Sequence, residues 1–172
     1  MEHRNIEIKA KCGDREKIRG ILKSLHADFK GIDHQVDTYF RVPNGRLKLR
    51  EGDIENYLIF YEREDKAGPK ESKVILHPVE RGSKLKDLLA AALGILAVVD
   101  KKREIYFIDN VKFHLDEVLG LGTFAEIEAI DEEGRIGKEK LLEQCNHFLD
   151  LFGISASDLL NDSYSDRLMG RA

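Results

Sequence analysis

Residues 5–11 read Asn-Ile-Glu-Ile-Lys-Ala-Lys, an alternation that puts Ile6, Ile8 and Ala10 on one side of an extended chain and Asn5, Glu7, Lys9 and Lys11 on the other. Both charge signs share the polar side. The pattern recurs: Arg46, Lys48 and Arg50 alternate with Leu47 and Leu49, and Lys112, His114 and Asp116 alternate with Val111, Phe113 and Leu115. Glu126 and Glu128 stand opposite Ala125, Ile127 and Ala129. Charges turned to water explain any one such strand, because an antiparallel sheet often has one wet face. They do not explain the set, because the chain also carries amphipathic helices that need apolar surface to lie on. The only continuous apolar face is the one with Ile6, Ile8, Leu47, Leu49 and Ile127. Helices placed there leave the charged faces pointing at one another.

The order of elements supports this polarity. Asp14, after Gly13, is a predicted N-cap for a helix in which Ile18, Ile21, Leu22 and Leu25 recur at helical spacing up to about His26. Strands are predicted at about 35–42, 46–51, 57–64 and 73–80, the first two joined as a hairpin at Pro43-Asn44-Gly45. A helix over 83–93 ends at Gly94. Strands follow at 98–108, at 112–118 after a turn at Asp109-Asn110, and at 123–130 after Gly120-Leu121-Gly122. A helix over 138–152 is capped by Gly153, and a short helical piece is expected from Ser157. About eight strands without long βαβ crossovers predict an α+β fold: an eight-stranded antiparallel barrel, closed or nearly closed, with helices packed outside. With 172 residues and no Pro/Gly/Ser-rich linker, residues 1–172 are expected to form a single domain.

Composition narrows the partners. The 28 Lys and Arg against 32 Asp and Glu give a net charge of −4, so no global basic excess points to a nucleic-acid polymer, and any anion site must be a local cluster. Cys12 and Cys145 lack metal-type spacing and are expected to be free thiols in a reducing compartment. The chain is charged from Glu2, with no secretory signal visible, and the apolar run 88–99 is interrupted by Gly94 and too short to span a bilayer. A cytoplasmic protein with no membrane partner is the expectation.

Inverted polarity would put Glu7, Lys9, Lys11, Lys48, Arg50, Arg63, Lys101, Arg103, Asp116, Glu126 and Glu128 inside the barrel. Burying that many charges without compensation costs several kcal/mol per ion even after relaxation. A wet tunnel holding a polyanion and metal ions removes the difficulty. Arg offers bidentate contacts to a phosphate chain and Lys offers point charges, while the carboxylates suit a hard divalent cation such as Mg²⁺ or Mn²⁺.

On these motifs the chain resembles the CYTH superfamily of triphosphate tunnel metalloenzymes, which includes class IV adenylyl cyclases and thiamine triphosphatases. The carriers are N-I-E-I-K at the start, H-Q-V-D-T-Y-F at 34–40, L-K-L-R-E at 47–51, K-K-R at 101–103 and L-D-E-V-L-G-L-G-T-F-A-E-I-E at 115–128, with S-Y-S-D-R-L near the C-terminus. The resemblance implies an eight-stranded tunnel that grips a substrate triphosphate with Lys and Arg and holds metal with glutamates from its first and last strands. Carried over, Glu7, Glu126 and Glu128 are the candidate metal ligands, and Lys9, Lys48, Arg50, Arg63, Lys101 and Arg103 the candidate phosphate-binding set. Asp116 would sit near the metal or orient a cation, so that Glu7, Lys9 and Asp116 form the candidate catalytic set. Lys11, Arg46, Lys73 and Tyr39 are secondary candidates. The family's opening motif is E-x-E-x-K, and here its first acid is Asn5, whose amide can ligate but brings no charge.

Three functions fit these features. The first is a metal-dependent phosphohydrolase acting on a triphosphate such as ATP, inorganic triphosphate or thiamine triphosphate. The second is a cyclase that converts ATP to cyclic AMP and pyrophosphate. The third is a non-catalytic module for polyphosphate or nucleotide, which Asn5 favours. Hydrolysis ranks first because it needs only the tunnel and a water, whereas cyclisation also demands a placed ribose. A homodimer is a further expectation, with the Leu/Ala-rich helix at 85–97 as core or dimer surface. His114 is expected to hydrogen-bond within the tunnel, and the Glu/Lys mixture at 132–143 to be a solvated helix face.

Overall fold

The computed structural model describes residues 2–170. Eight strands, β1 (Glu2–Lys11), β2 (Asp28–Phe40), β3 (Arg46–Glu51), β4 (Tyr57–Arg63), β5 (Lys70–Pro78), β6 (Ile95–Ile108), β7 (Val111–Val118) and β8 (Gly122–Asp131), close into a barrel in the order β1-β5-β4-β3-β2-β6-β7-β8. All neighbours are antiparallel. Four helices accompany it: α1 (Arg15–Ser24), α2 (Leu85–Leu93), α3 (Lys138–Phe152) and α4 (Tyr164–Leu168).

The apolar exterior predicted from the alternation is present where helices cover it. Ile6, Ile8, Phe113, Leu115, Ala125, Ile127 and Ala129 join Ile18 and Leu22 of α1 and Leu141, Cys145, Phe148 and Phe152 of α3 in one buried cluster. Asp14 caps α1 by accepting from the Lys17 amide at 3.1 Å, and Gly153, at φ 65°, closes α3 in the left-handed conformation that suits glycine. Both cysteines are free and buried. α2 is different. None of its residues is buried; it rests lightly against β2, and its Lys86 pairs with Glu51 at 2.8 Å.

Several boundaries move. β2 starts at Asp28 rather than near 35, with a register shift between Phe29 and Gly31, whose φ of 126° breaks the alternation. β5 and β6 each begin three residues before their expected starts, at Lys70 and Ile95. The helical piece expected from Ser157 is a single 3-10 turn at Ala156–Asp158, and the true helix, α4, begins six residues beyond Asp158. A reciprocal Ser163–Asp166 capping box starts α4.

The segment between the 3-10 turn and α4 plugs the end of the barrel where β1 finishes and β8 begins. Leu159 bridges Ala10, the Leu160 amide donates to the Lys9 carbonyl at 2.9 Å, and Tyr164 stacks on Phe124 with ring centroids 4.9 Å apart. Lys70 is trapped beneath this plug, fully enclosed, with its ammonium reaching only the Leu160 carbonyl at 3.4 Å. Burial, helped by the nearby Arg63 charge, pulls its pKa down to about 8. Lys70→Met is therefore expected to raise the thermal midpoint by a few degrees at pH 7, since a methionine of similar volume removes a poorly compensated charge worth about 1–2 kcal/mol. Between pH 8 and the ordinary lysine value of 10.5 the unfolded chain holds the extra proton. The natural protein therefore gains stability as pH rises through that window, and the advantage of the Met variant should shrink. Thermal melts at pH 7 and pH 10 check both.

Candidate active site

The bore follows from strand parity. One cavity of about 270 Å³ is lined by Glu7, Lys9, Lys48, Arg50, Arg63, Lys101, Arg103, Glu126 and Glu128, nine of the ten principal candidates named from the sequence. Cross-strand pairing sets their heights: Glu7 is opposite Glu128, Lys9 opposite Glu126, and His114 opposite Glu126 on the other side.

The tenth, Asp116, lies behind the lining, fully buried, and accepts two hydrogen bonds from Arg103 at 2.7 and 2.6 Å and one from the Tyr164 hydroxyl at 2.8 Å. These bonds fix the Arg103 guanidinium at the wall of the bore. The secondary candidates divide. Tyr39 lines the cavity, whereas Lys11 and Lys73 are exposed and do not line it. The reasons differ: Lys11 shares the parity of Glu7 and Lys9 but is the last residue of its strand, past the Lys9–Glu126 rung, whereas Lys73 alternates with the inward Ser72 and Val74. Arg46 turns to a different cavity and is fastened to Asp166 by two bonds of 2.9 Å.

The expectation of a wholly ionic interior needs correction. Tyr57, Ile59 and Tyr61 from β4 and Ser72, Val74 and Leu76 from β5 form an uncharged wall along one side of the bore. The charges are also matched in a way the sequence did not disclose. Asp37, fully buried, accepts from Arg50 at 2.9 Å through both Nε and Nη2, from Lys101 at 2.8 Å, and stands 3.0 Å from Lys48. Burial alone would raise its carboxyl, but Arg50, Lys101 and Lys48 hold it well below the usual carboxylate range. Glu55 does the same for Lys112 and lies 3.4 Å from Arg50.

Glu55 is delivered by a tight turn built on Asp33, which accepts from the Ile54 and Glu55 amides at 2.9 and 3.0 Å and from the Gln35 side chain at 2.8 Å. Gly52 makes room for it, since a Cβ there would lie 2.6 Å from the Glu55 carbonyl and 2.8 Å from the Asp33 carboxylate. The only signal for Asp37 in the sequence is that it shares inward parity with Tyr39 in the 34–40 run.

Not all the donors are spent. Lys9 has no carboxylate within ion-pair distance among the described residues; its ammonium rests 3.9 Å from the centre of the Tyr164 ring. Arg63 binds Glu7 through Nη1 at 2.6 Å, while its buried Nε and Nη2 have no partner among the described residues. Such atoms are costly to leave unpaired, and Lys9 and Arg63 are both lining residues of the cavity.

The three glutamates supply the hard oxygen donors a divalent cation needs. Burial first, then repulsion from Glu7 and Glu126, lifts Glu128 to about 7 against the pull of Lys112, and Asn5 donates to it through Nδ2 while leaving a buried Oδ1 without partner. A bound cation would relieve both features. The carboxylates pair with Arg63, Arg103 and Asn5, and no three acidic, His or Cys groups among the described residues converge as a ligand cluster. His114 keeps to the expected hydrogen-bonding role, with Nδ1 3.4 Å from Glu126, and burial pushes it down to about 4.

The family model for the CYTH domain matches residues 3–164. The chain belongs to the CYTH family. A protein of Methanocaldococcus jannaschii bearing the name "putative adenylate cyclase" is 30% identical over 174 residues, covering 92% of this CYTH chain and 95% of the relative. Among solved structures, the PH1012 protein of Pyrococcus horikoshii OT3 superposes with a TM-score of 0.79 at 26% identity, covering 94% of this chain and 98% of that one. An adenylyl cyclase homologue from Hippeastrum, described as having a dominant triphosphatase activity, shares the fold with a TM-score of 0.60 at 15% identity, covering 98% and 97% of the two chains. CYTH proteins are triphosphatases or adenylyl cyclases. No helix of the described residues is long and apolar enough to cross a membrane.

Proposed function

We propose that this CYTH protein is a phosphohydrolase that binds a triphosphate in the bore and releases its terminal phosphate. The observation that carries the reading is the unspent donor capacity of Lys9 and Arg63, placed in the same cavity as Arg50, Lys48, Lys101 and Arg103. Arg50, Lys48 and Lys101 are pre-positioned by Asp37 and Arg103 by Asp116, so these four stabilise charge on a phosphate chain with little reorganisation.

In the reaction a water oxygen bonds to the terminal phosphorus as the bridging P–O bond breaks. The electron pair leaves with the remaining diphosphate, whose charge the Arg and Lys groups hold, and the water's proton passes to solvent or to a carboxylate of the bore. Glu7, Glu126 and Glu128, with the Asn5 amide oxygen, are the residues suited to hold Mg²⁺ or Mn²⁺, which when bound would act as a Lewis acid on phosphate oxygens. The Hippeastrum protein's described triphosphatase activity supports hydrolysis by analogy of fold. The name of the M. jannaschii relative favours cyclisation as the second reading.

Incubation with ATP, inorganic triphosphate and thiamine triphosphate plus Mg²⁺ or Mn²⁺, followed by phosphorus NMR, separates the two: orthophosphate marks the hydrolase, and pyrophosphate with cyclic AMP marks the cyclase. Ligand-induced thermal stabilisation without product marks a binder and refutes catalysis. Glu126→Gln, which keeps size but removes the charge facing Arg103, His114 and Lys9, is expected to lower metal-dependent turnover at least a hundredfold while triphosphate still stabilises the protein to heat. Unchanged turnover would remove Glu126 from the site.

A further inference from the structure

A second cavity of about 470 Å³ adjoins the first and shares three residues with it: Tyr39, Tyr61 and Arg63. It lies at the barrel end carrying the β2–β3 and β4–β5 connections, opposite the mouth formed by His3, Tyr57, Leu76 and Lys112. Arg41 and Asp65 at its rim are exposed, so it communicates with solvent. Its charge is one-sided. Arg41, Arg46 and Arg63 line it, with Asp65 as its single carboxylate.

Arg63 stands in the partition. Its side chain is 4% exposed, Nη1 faces Glu7 of the main bore, and Nε and Nη2 are buried without a partner among the described residues. Tyr39 and Tyr61 beside it offer neutral hydroxyls, because burial pushes the Tyr39 phenol up to about 12 and Tyr61 higher still.

We propose that this second chamber is an inorganic-phosphate site through which the anion split from the inner end of the substrate leaves, passing Arg63 and emerging at Arg41. The proposal rests on the triphosphate reading of the bore and answers a geometric problem that reading creates. A substrate entering by the mouth leaves its cleaved terminal group at the inner end, behind the remaining diphosphate product and next to the 159–164 plug. With only the mouth available, the first product could leave only after the second. A rear chamber lined by arginine separates the two routes: Arg46 is fixed on its wall by two bonds to Asp166, and Arg41 at the rim has no such carboxylate partner among the described residues.

The test uses the full chain saturated with a non-hydrolysable triphosphate and Mn²⁺, so that the main bore is filled, and titrates inorganic pyrophosphate and orthophosphate calorimetrically. Binding of at least one of these to the saturated protein is expected, weakened tenfold or more by Arg41→Glu, an exposed change that leaves the barrel intact. Orthophosphate should also inhibit turnover in a mixed rather than purely competitive manner, and Arg41→Glu should raise its inhibition constant by a similar factor. Absence of anion binding to the saturated protein, binding indifferent to Arg41→Glu, or purely competitive inhibition would each overturn the chamber. The triphosphate reading fails separately, at the first step, if the analogue itself does not bind. In that case titration of the free protein still decides the chamber, by whether pyrophosphate affinity follows Arg41→Glu or instead follows Lys9→Ala in the main bore.

Discussion

Asp37→Ala is expected to cost about 3–5 kcal/mol of folding stability, the range for removing one partner of a buried ion pair. That is a large share of the roughly 5–15 kcal/mol by which domains are stable. Asp37 is the common counter-ion of Arg50, Lys101 and Lys48, which together hold its carboxyl well below the usual carboxylate range. Without it three cations face one another in a bore where water only partly replaces the lost partner. Urea unfolding checks the loss. A drop below about 1 kcal/mol would mean that solvent carries these charges and that Asp37 organises little. Inorganic triphosphate should restore part of the lost stability, because an anion in the bore takes up the cations that Asp37 released. A purely structural role would leave that rescue absent.

Arg50→Ala is expected to weaken triphosphate binding about a hundredfold, close to 2.8 kcal/mol, consistent with the loss of one buried, hydrogen-bonded charge partner. Two contributions add. The fixed guanidinium no longer meets the phosphate chain, and Asp37, now held only by Lys48 and Lys101, carries more uncompensated negative charge beside it. Arg50→Lys should recover part of the affinity, because the charge returns without the fork that grips Asp37 through both oxygens. Calorimetric titration of inorganic triphosphate in the two variants checks the order Arg, Lys, Ala. Equal affinity in all three would remove Arg50 from the phosphate track.

The barrel was legible in the sequence because its signal is local. Period-two alternation assigns each residue to a face, and α1 and α3 could be satisfied only by the apolar one, so Ile6, Ile8 and Ile127 under those helices and Glu7, Lys48 and Glu126 in the bore follow from one premise. The same rule misled for Lys73, whose neighbours Ser72 and Val74 point inward although they carry no charge. On β4 and β5 the inward positions hold Tyr57, Ile59, Tyr61, Val74 and Leu76, and there the equation of inward with charged breaks down. Asp37 and Glu55 were missed for another reason. Their role depends on which cations approach from other strands and from a turn set by Asp33 and Gly52, and such pairings lie outside any local window. The C-terminal plug was equally out of reach, because what fixes it is Tyr164 meeting Phe124, Lys9 and Asp116, none of them near it in sequence.

The expected binding mode is most directly testable by diffraction from crystals soaked with a non-hydrolysable ATP analogue and Mn²⁺. The phosphate chain should lie along the barrel axis between Lys9, Arg50, Arg63 and Arg103, with manganese anomalous signal at Glu7, Glu126 and Glu128. Phosphates bound on the outer surface, or a bore left to water at saturating ligand, would contradict a triphosphate site inside the barrel.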